Sequence, residues 1–296
     1  MLSILIPTYN YNALPLATVL SKEAVSLKYP VEIIVLDDAS PNYAVENEHI
    51  ATLPNARIVK LTENTGRSAA RHRLAEESQY KNLLFLDADV MPVHTNFIEK
   101  YAEYFNTKGV IFGGITYKPE KPINTEMLRW VYGHEREKLS VAQRIHAPYS
   151  SLTTGCFLIE KETFLNNSKT ITVKSYGEDL LFKQKLKEKQ IPVLHIDNAV
   201  YHLGLESNQQ FLKKSLEAVK TTVYLEETGE LPNDSRKIQQ TYLRLKKFGM
   251  LGVFQSFFAA FKSKVKRNLL SPKPNMRWFD LYRLAYYIQL KKKKSA

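Results

Sequence analysis

The chain of 296 residues has a single cysteine, Cys156. An intramolecular disulfide framework is therefore excluded, and a reducing compartment is the expected setting. It also lacks any run of about 18 apolar residues, so no helix is expected to span a bilayer. The opening MLSILIPTYN has no basic segment and only a short apolar run, and it does not read as a signal peptide. Neither G-x-G-x-x-G nor a Walker loop occurs, which removes the usual dinucleotide and P-loop signatures. No recognised nucleic-acid motif occurs either. Acidic residues are scarce in one region only. Residues 1–205 hold 23 Lys+Arg and 23 Asp+Glu, whereas residues 206–296 hold 19 and 7. The formal charge of +12 thus belongs wholly to the C-terminal part.

What is present in the neutral part is an alternation of apolar runs and helical periods. SILIPTY, VEIIVLDD, ARIVKL and NLLFLD read as strands. ALPLATVLSKEAVSL, the second half of ENTGRSAARHRLAEESQ and about 96–105 read as helices between or after them. This βαβ order predicts an α/β fold with a mainly parallel sheet flanked by helices. VIFGGITY reads as a further strand, and 123–150 as a long aromatic and basic connection. TTGCFLIEKETFL reads as strand then helix, GEDLLFKQKLKEKQ as a helix, and PVLHIDNAVYHL as two short strands.

Several of these strands end on acids. Asp37-Asp38 closes one and Asp87-Ala88-Asp89 another, which places carboxylates where open α/β sheets bind ligands. On extended backbone, residues i and i+2 point the same way, so Asp87 and Asp89 are expected to converge on one divalent cation. Standing alone, a D-x-D triplet is a weak signal and reads more readily as a pair of solvated turn acids. The stretch ENTGRSAARHR adds Asn64, Gly66 and Arg71, and Arg71 is suited to a charge-assisted contact with phosphate.

ILIPTYN, VLDDAS, ENTGRSAARHRLAEES, LFLDADV, TTGCFLIEKETF, YGEDLLFKQKLKEKQIPV and NAVYHLG occur in the order seen in family-2 glycosyltransferases of the GT-A fold. The chain resembles that family over roughly residues 1–205. The resemblance implies an inverting transfer from a nucleotide-diphosphate sugar, UDP-linked by family habit, to a hydroxyl of a glycan or lipid-linked glycan. It implies Mn2+ or Mg2+ as cofactor, and a nucleotide-binding half (1–110) followed by an acceptor-binding half (111–205). Carried over residue by residue, Pro7, Thr8, Tyr9, Asp38, Asn64, Gly66, Arg71, Asp87, Ala88 and Asp89 are expected around the nucleotide sugar. Asp89, Asp87 and His202 are expected at the metal, Gly155 and Glu178 on the acceptor side, and Asp179 as the general base. Relatives usually have Asn after the arginine of the N-x-G-x-x-x-x-R stretch, where this chain has His72. His195 and Cys156 carry only structural readings, and Trp130, Tyr132, His134, Arg136 and Arg144 are expected to shape the acceptor side.

The basic region 206–296 falls outside the resemblance and is expected to be helical, entered through a hinge near 233–237. The 14 residues 248–261 are uncharged and would cover roughly 21 Å as a helix, short of a bilayer core. Met250, Leu251, Phe254, Phe257, Phe258, Phe261, Val265 and Leu269 share one helical face beside Lys262, Lys264 and Lys266. RWFDLYRLAYYIQLKKKK adds aromatics and lysines suited to anionic headgroups. Two readings stay open: a helix lying in a membrane interface, or a face that packs onto the protein. The expected location is the cytoplasmic side of the cell membrane, peripherally bound, in surface polysaccharide or glycoconjugate synthesis. Two other functions compete: a non-catalytic membrane-associated module binding glycan or nucleotide, and a sugar nucleotidyltransferase.

Overall fold

The structure is a computed structural model that describes residues 1–168, 176–177 and 179–295, with side chains described as far as residue 292. It divides into two compact units, 1–118 with 137–174 and 182–204, and 119–136 with 175–181 and 205–296.

The first unit is built on β1 (Leu2–Thr8), β2 (Val31–Asp37), β3 (Ala56–Lys60), β4 (Asn82–Leu86), β5 (Val90–Pro92), β6 (Val110–Phe112), β7 (Ile115–Thr116), β8 (Cys156–Glu160), β9 (Val193–His195) and β10 (Val200–His202). Seven of these form one sheet in the order β3-β2-β1-β4-β8-β6-β9. Four pairings are parallel, and β8 runs antiparallel to both its neighbours. The mainly parallel sheet read from the sequence is therefore present. Nearly every residue of β1, β2 and β4 is buried, as expected of strands covered on both faces. Pro7 is tolerated in β1 because the ladder to β4 ends at Leu5–Phe85, before the missing donor.

VIFGGITY does not run straight. It breaks at Gly113-Gly114 into β6 of the large sheet and β7 of a second sheet, ordered β5-β10-β7. A Cβ on Gly113 would meet the Asn198 carbonyl oxygen at 2.1 Å, and Gly114 has φ +104°, so only glycine fits this crossing. The expected long connection 123–150 is largely helical, as Met127–Tyr132, Val141–Ile145 and Pro148–Ser151.

The second unit is helical. Its long helices are Asn208–Glu227, Lys237–Lys247, Leu251–Leu269 and Met276–Ser295. Their core joins Leu128, Phe211, Leu212, Phe258, Val265, Leu269, Met276 and Phe279. No described helix is long and apolar enough to cross a membrane.

Candidate active site

The chain leaves β1 for β2 and β3 on one side, then returns to the other side of β1 as β4. Such a reversal opens a crevice at the carboxyl ends of the strands that flank it. In this unit those ends carry Thr8, Asp37-Asp38 and Asp87-Ala88-Asp89. The loops there are tightly wound: Asn10, Ala39 and Tyr43 all have φ between 53° and 64°, a conformation that ordinary side chains adopt at a cost. Thr8 is buried and donates its hydroxyl to the Tyr11 carbonyl at 3.0 Å, while Tyr9 points outward and is exposed. Asn10 ties this loop to the next through Ser40 and Asn42.

Asp38 is buried and fully engaged. Its Oδ1 accepts from the Thr65 amide and hydroxyl, both at 2.7 Å, and its Oδ2 from the Gly66 amide at 2.8 Å. It thereby supplies the charge that caps the helix Arg67–Glu77, whose N-cap, Gly66, has no side chain to offer. Gly66 stands at φ +90°, the left-handed range that glycine reaches without strain. Asn64 donates to the Asp38 carbonyl at 3.2 Å. Asp38, Asn64 and Gly66 therefore belong to one set of locked loops, and Pro7 lies beside them near the end of β1. Asp37 is likewise satisfied, by the Ser40 amide at 2.9 Å.

Asp87 and Asp89 do not lie on extended backbone. Val90 N donates to the Asp87 carbonyl at 3.3 Å, so the chain turns at Ala88 and sends the two carboxylates to different partners. Asp87 Oδ1 pairs with buried Arg71, which also donates to the Thr154 carbonyl at 3.2 Å. Arg71 is thus paired with a carboxylate. Gly155 lies alongside: its carbonyl accepts from Asp87 N at 3.0 Å, and a Cβ there would stand 3.2 Å from Asp87 Oδ2.

Asp89 meets His202. β10 runs antiparallel to β5 with His202 opposite Val90, and this register puts the imidazole Nε2 3.5 Å from Asp89 Oδ2. Leu203 N donates to the Asp89 carbonyl at 2.8 Å. A Cβ on Gly204 would fall 2.1 Å from Asp89 Oδ2, so glycine is required for this carboxylate to lie where it does. The Tyr117 ring packs on His202 with centroids 5.6 Å apart, and its hydroxyl donates to Glu137. Burial, then the charge of Asp89 and then Tyr43, push the Tyr11 phenol above its ordinary range. Among the described residues no three of His, Cys, Asp and Glu gather as a ready-made metal shell. A carboxylate beside an imidazole nevertheless fits a hard divalent ion that takes its remaining ligands from phosphate and water. Asp87, held by Arg71, is the less available of the two acids.

In the second unit, Asp179 begins the helix Asp179–Glu188, where the N-terminal dipole favours its negative form. The turn before it is held by the helix Asn208–Glu227. Thr221 Oγ1 donates to the Tyr176 carbonyl at 2.9 Å, and Gly177, at φ +105°, presses against Ala218, where a Cβ would lie 3.3 Å from Cα. Burial, followed by Arg283, lowers the Arg236 guanidinium to about 10, and the charge of Asp179 acts against that fall. Glu178 lies outside the described residues.

Other expectations resolve into structural duties. His72 turns to Ser168, 2.8 Å from its Oγ. His195 keeps its structural reading, with Nε2 3.1 Å from the Pro148 carbonyl oxygen, and burial, then Arg144, lower its pKa. Arg144 is a buried staple that donates to the Phe112 and Ile196 carbonyls. Tyr132 packs on Phe211 and Phe279, and Arg136 pairs with Asp280 at 2.8 Å. Cys156 is buried, and burial raises its thiol to about 12, so it offers no nucleophile. The sequence reading missed Tyr11, Thr65, Gly204 and Arg236. Only Gly204, directly after the strand ending at His202, carried a signal, and it was the glycine itself.

The family model "Glycosyl transferase family 2" matches residues 3–164. Among solved structures, the mannosyltransferase PcManGT from Pyrobaculum calidifontis, in complex with GDP-Man and Mn2+, aligns at TM-score 0.58 and 14% identity, covering 99% of this chain and 87% of that one. Glucosyl-3-phosphoglycerate synthase from Mycobacterium tuberculosis, in complex with phosphoglyceric acid, aligns at 0.51 and 16%, covering 76% and 79%. S. aureus TarS 1–349 with UDP-GlcNAc aligns at 0.50 and 16%, covering 99% and 92%. Against the longer S. aureus TarS structure the chain spans 41% of that protein's length. No curated protein sequence matches it. At these identities the structural likeness speaks for the fold, which is the GT-A fold expected from the sequence. With its strand-end acids in place and more than half of its length matched by the family model, the chain belongs to glycosyl transferase family 2.

Proposed function

We propose that the protein is an inverting glycosyltransferase that moves a sugar from a nucleotide-diphosphate sugar, UDP-linked in the first instance, to a hydroxyl of a glycan or lipid-linked glycan. The observation that carries this reading is Asp89 beside His202 at the carboxyl end of β4, where the carboxylate leaves no room for a side chain at Gly204. Solved structures of similar fold hold UDP-GlcNAc or GDP-Man with Mn2+.

Asp89 and His202 would hold the divalent ion, which when bound offsets the charge gathering on the departing diphosphate. Arg71 fixes Asp87 beside Gly155, and Asp38 fixes the Asn64–Gly66 loop, so both loops meet the nucleotide already ordered. Tyr9, exposed at the end of β1, is free to cover the base. Asp179 takes the proton from the acceptor hydroxyl as its oxygen attacks the anomeric carbon. The bond to the diphosphate oxygen breaks with its electron pair, and a single displacement inverts the configuration. The protein works at the inner face of the cell membrane, peripherally bound, where a lipid-linked glycan is the natural acceptor for surface polysaccharide synthesis.

Thermal stability against UDP-, GDP- and dTDP-sugars, each with and without Mn2+, tests the donor site. One nucleotide should raise the melting temperature in a metal-dependent way, and Asp89→Ala should abolish the rise. Asp179→Asn should keep that rise and lose acceptor-dependent release of nucleotide. Failure of every donor to stabilise the wild-type protein would overturn the assignment.

A further inference from the structure

The helix Leu251–Leu269 was expected to have a single apolar face, and the structure splits that face lengthwise. Phe254, Phe258, Val265 and Leu269 turn inward to the helical core. Phe257 and Phe261 do not. They are 63% and 44% exposed, and Val253, one turn earlier, is 67% exposed. Positions 253, 257 and 261 follow one another at i, i+4 and i+8, an outward stripe beside the inward one. Just before the helix, the turn Phe248-Gly249-Met250 carries two more outward apolar side chains, Phe248 at 71% and Met250 at 47% exposed, with Gly249 at φ +68° making the reversal. Five large apolar groups therefore share the tip and outer flank of one element. Apart from the ring contact between Phe257 and Phe261, with centroids 4.9 Å apart, they turn to solvent, and their grouping sets them apart from scattered exposed residues.

The charges around this stripe say what could cover it. Lys246 and Lys247 precede the apolar turn, and Lys264 and Arg267 continue the outward stripe itself, all of them exposed. No acidic residue occurs between Asp234 and Asp280. An apolar strip bordered at both ends by unopposed cations matches the boundary between acyl chains and anionic headgroups, where aliphatic stems of Lys and Arg extend upward to phosphate. A protein partner would be expected to bring acids to such a border, but nothing demands them along the apolar strip itself. The absence of any described helix able to cross a membrane fits an element that lies in the interface.

The rings of the last helix are engaged elsewhere. Trp278 and Tyr282 pack against the helical core, Tyr286 and Tyr287 join a second cluster with Val219 and Val223, and Lys291 turns inward to Glu226 at 2.8 Å. The expectation that RWFDLYRLAYYIQL presents its aromatics to headgroups is corrected accordingly: those rings are needed to close the bundle. Lys293 and Lys294 lie beyond the described side chains.

We infer that the edge formed by Phe248, Met250, Val253, Phe257 and Phe261, with Lys246, Lys247, Lys264 and Arg267, is a docking face for an anionic lipid bilayer. The inference deepens the peripheral placement proposed above and stands apart from the catalytic reading, because lipid binding needs neither donor nor metal.

Flotation of the full chain with vesicles separates these possibilities. The probes are phosphatidylcholine vesicles and vesicles containing about 30% phosphatidylglycerol. The wild-type protein should float with the anionic vesicles and bind neutral ones at least tenfold more weakly. Phe257→Ser with Phe261→Ser should weaken binding about 100-fold, as two aromatic side chains lose the apolar phase. Lys246→Gln, Lys247→Gln and Lys264→Gln together should weaken it about fivefold per lysine and reduce its salt dependence. Melting temperatures of both variants should match the wild type, which separates a lost face from a lost fold. The inference is overturned if the wild type does not float with anionic vesicles, or if the double phenylalanine variant binds them as well as the wild type. It is also overturned if light scattering shows a wild-type dimer that the same variant converts to monomer without a change in lipid binding. If donor binding fails while flotation succeeds, the catalytic reading falls and the lipid face stands.

Discussion

The neutral α/β unit and the basic helical unit use apolar residues differently. In the sheet, an apolar residue in a strand means one thing. Phe85 of β4 stacks on Phe157 at 4.9 Å and on Phe164 at 4.4 Å, and all three are buried. In the helix Leu251–Leu269, Phe257 and Phe258 are neighbours in sequence, and one is exposed while the other is buried. A parallel strand covered on both faces has no outside for its apolar groups to seek. An amphipathic helix has two flanks, and its periodicity reports that a face exists without naming the medium that face prefers. The comparison breaks or sharpens according to what happens when each kind of apolar group is removed.

The largest effect should come from the sheet. Phe85→Ala deletes a ring stacked on two others in a buried layer, and its expected cost is about 3–5 kcal/mol of unfolding free energy. Urea unfolding of the variant should show a correspondingly lower midpoint. A loss under about 1 kcal/mol would mean that the aromatic layer is loosely packed, and the contrast with the helical unit would collapse.

Next comes the ionic side of the same unit. Arg71 is buried and its partner Asp87 is partly open to solvent, so removing the guanidinium leaves a carboxylate only partly able to recover hydration. Arg71→Ala should cost about 2 kcal/mol, a melting-temperature drop of about 4–8 °C for a unit of this size. Arg71→Lys should recover part of it, since an ammonium keeps a positive charge for Asp87 but is shorter and lacks the planar, delocalised guanidinium. Equal losses in the two variants would show that the guanidinium group itself, and neither its charge nor the packing of its stem, is what counts.

The strands and most helices of the α/β unit were legible because burial on both faces forces long apolar runs, and because acids directly after such runs mark the carboxyl ends of strands. Asp89 could be named from its place in that pattern, whereas His202 and Asp179 came from the family resemblance. Their partners could not. The turn at Ala88, which sends Asp87 to Arg71 and Asp89 towards His202, depends on one backbone hydrogen bond that no spacing rule encodes. Asp38 was legible as an acid at a strand end, but its duty as the cap of a helix nearly thirty residues later is a tertiary fact. Arg144, read as a candidate for the acceptor side, is a staple for two carbonyls, because a buried guanidinium must find acceptors wherever the fold leaves them. The split flank of the basic helix belongs to the same class: which side of an amphipathic helix is inward is decided by its neighbours.

A pH titration extends the comparison to the helical unit. Burial alone would raise the Glu226 carboxyl, but hydrogen bonds from Lys291, Tyr287 and Gln239, with the charge of Lys291, outweigh it and hold the group below its ordinary value. A depressed carboxyl stabilises the fold at pH values above its unfolded pKa, and that contribution is lost as pH falls through the lower folded value. Acidification from about pH 5 downward should therefore weaken the helical unit, by about 1 kcal/mol from this group. Glu226→Gln should be less stable at pH 7 and show a flatter acid limb. A wild-type acid limb that Glu226→Gln leaves unchanged would assign the loss to other carboxylates.

The smallest effect on stability is the most informative for function. Phe257→Ser removes a large apolar side chain, yet the ring is mostly in water and meets the Phe261 ring, 4.9 Å away between centroids. Little area returns to solvent on substitution, so the change in unfolding free energy should stay within about 0.5 kcal/mol. Phe258→Ser, one residue along, should cost about 3 kcal/mol or more, because that ring belongs to the buried cluster with Val265, Leu269 and Phe279. Chemical unfolding of the pair, done side by side, measures the division of the helix directly. If both substitutions cost the same, the outward flank is covered in solution and its exposure is not available to a lipid surface. If they differ as expected, the conservation of fold in Phe257→Ser turns any loss of vesicle binding into a statement about the face alone.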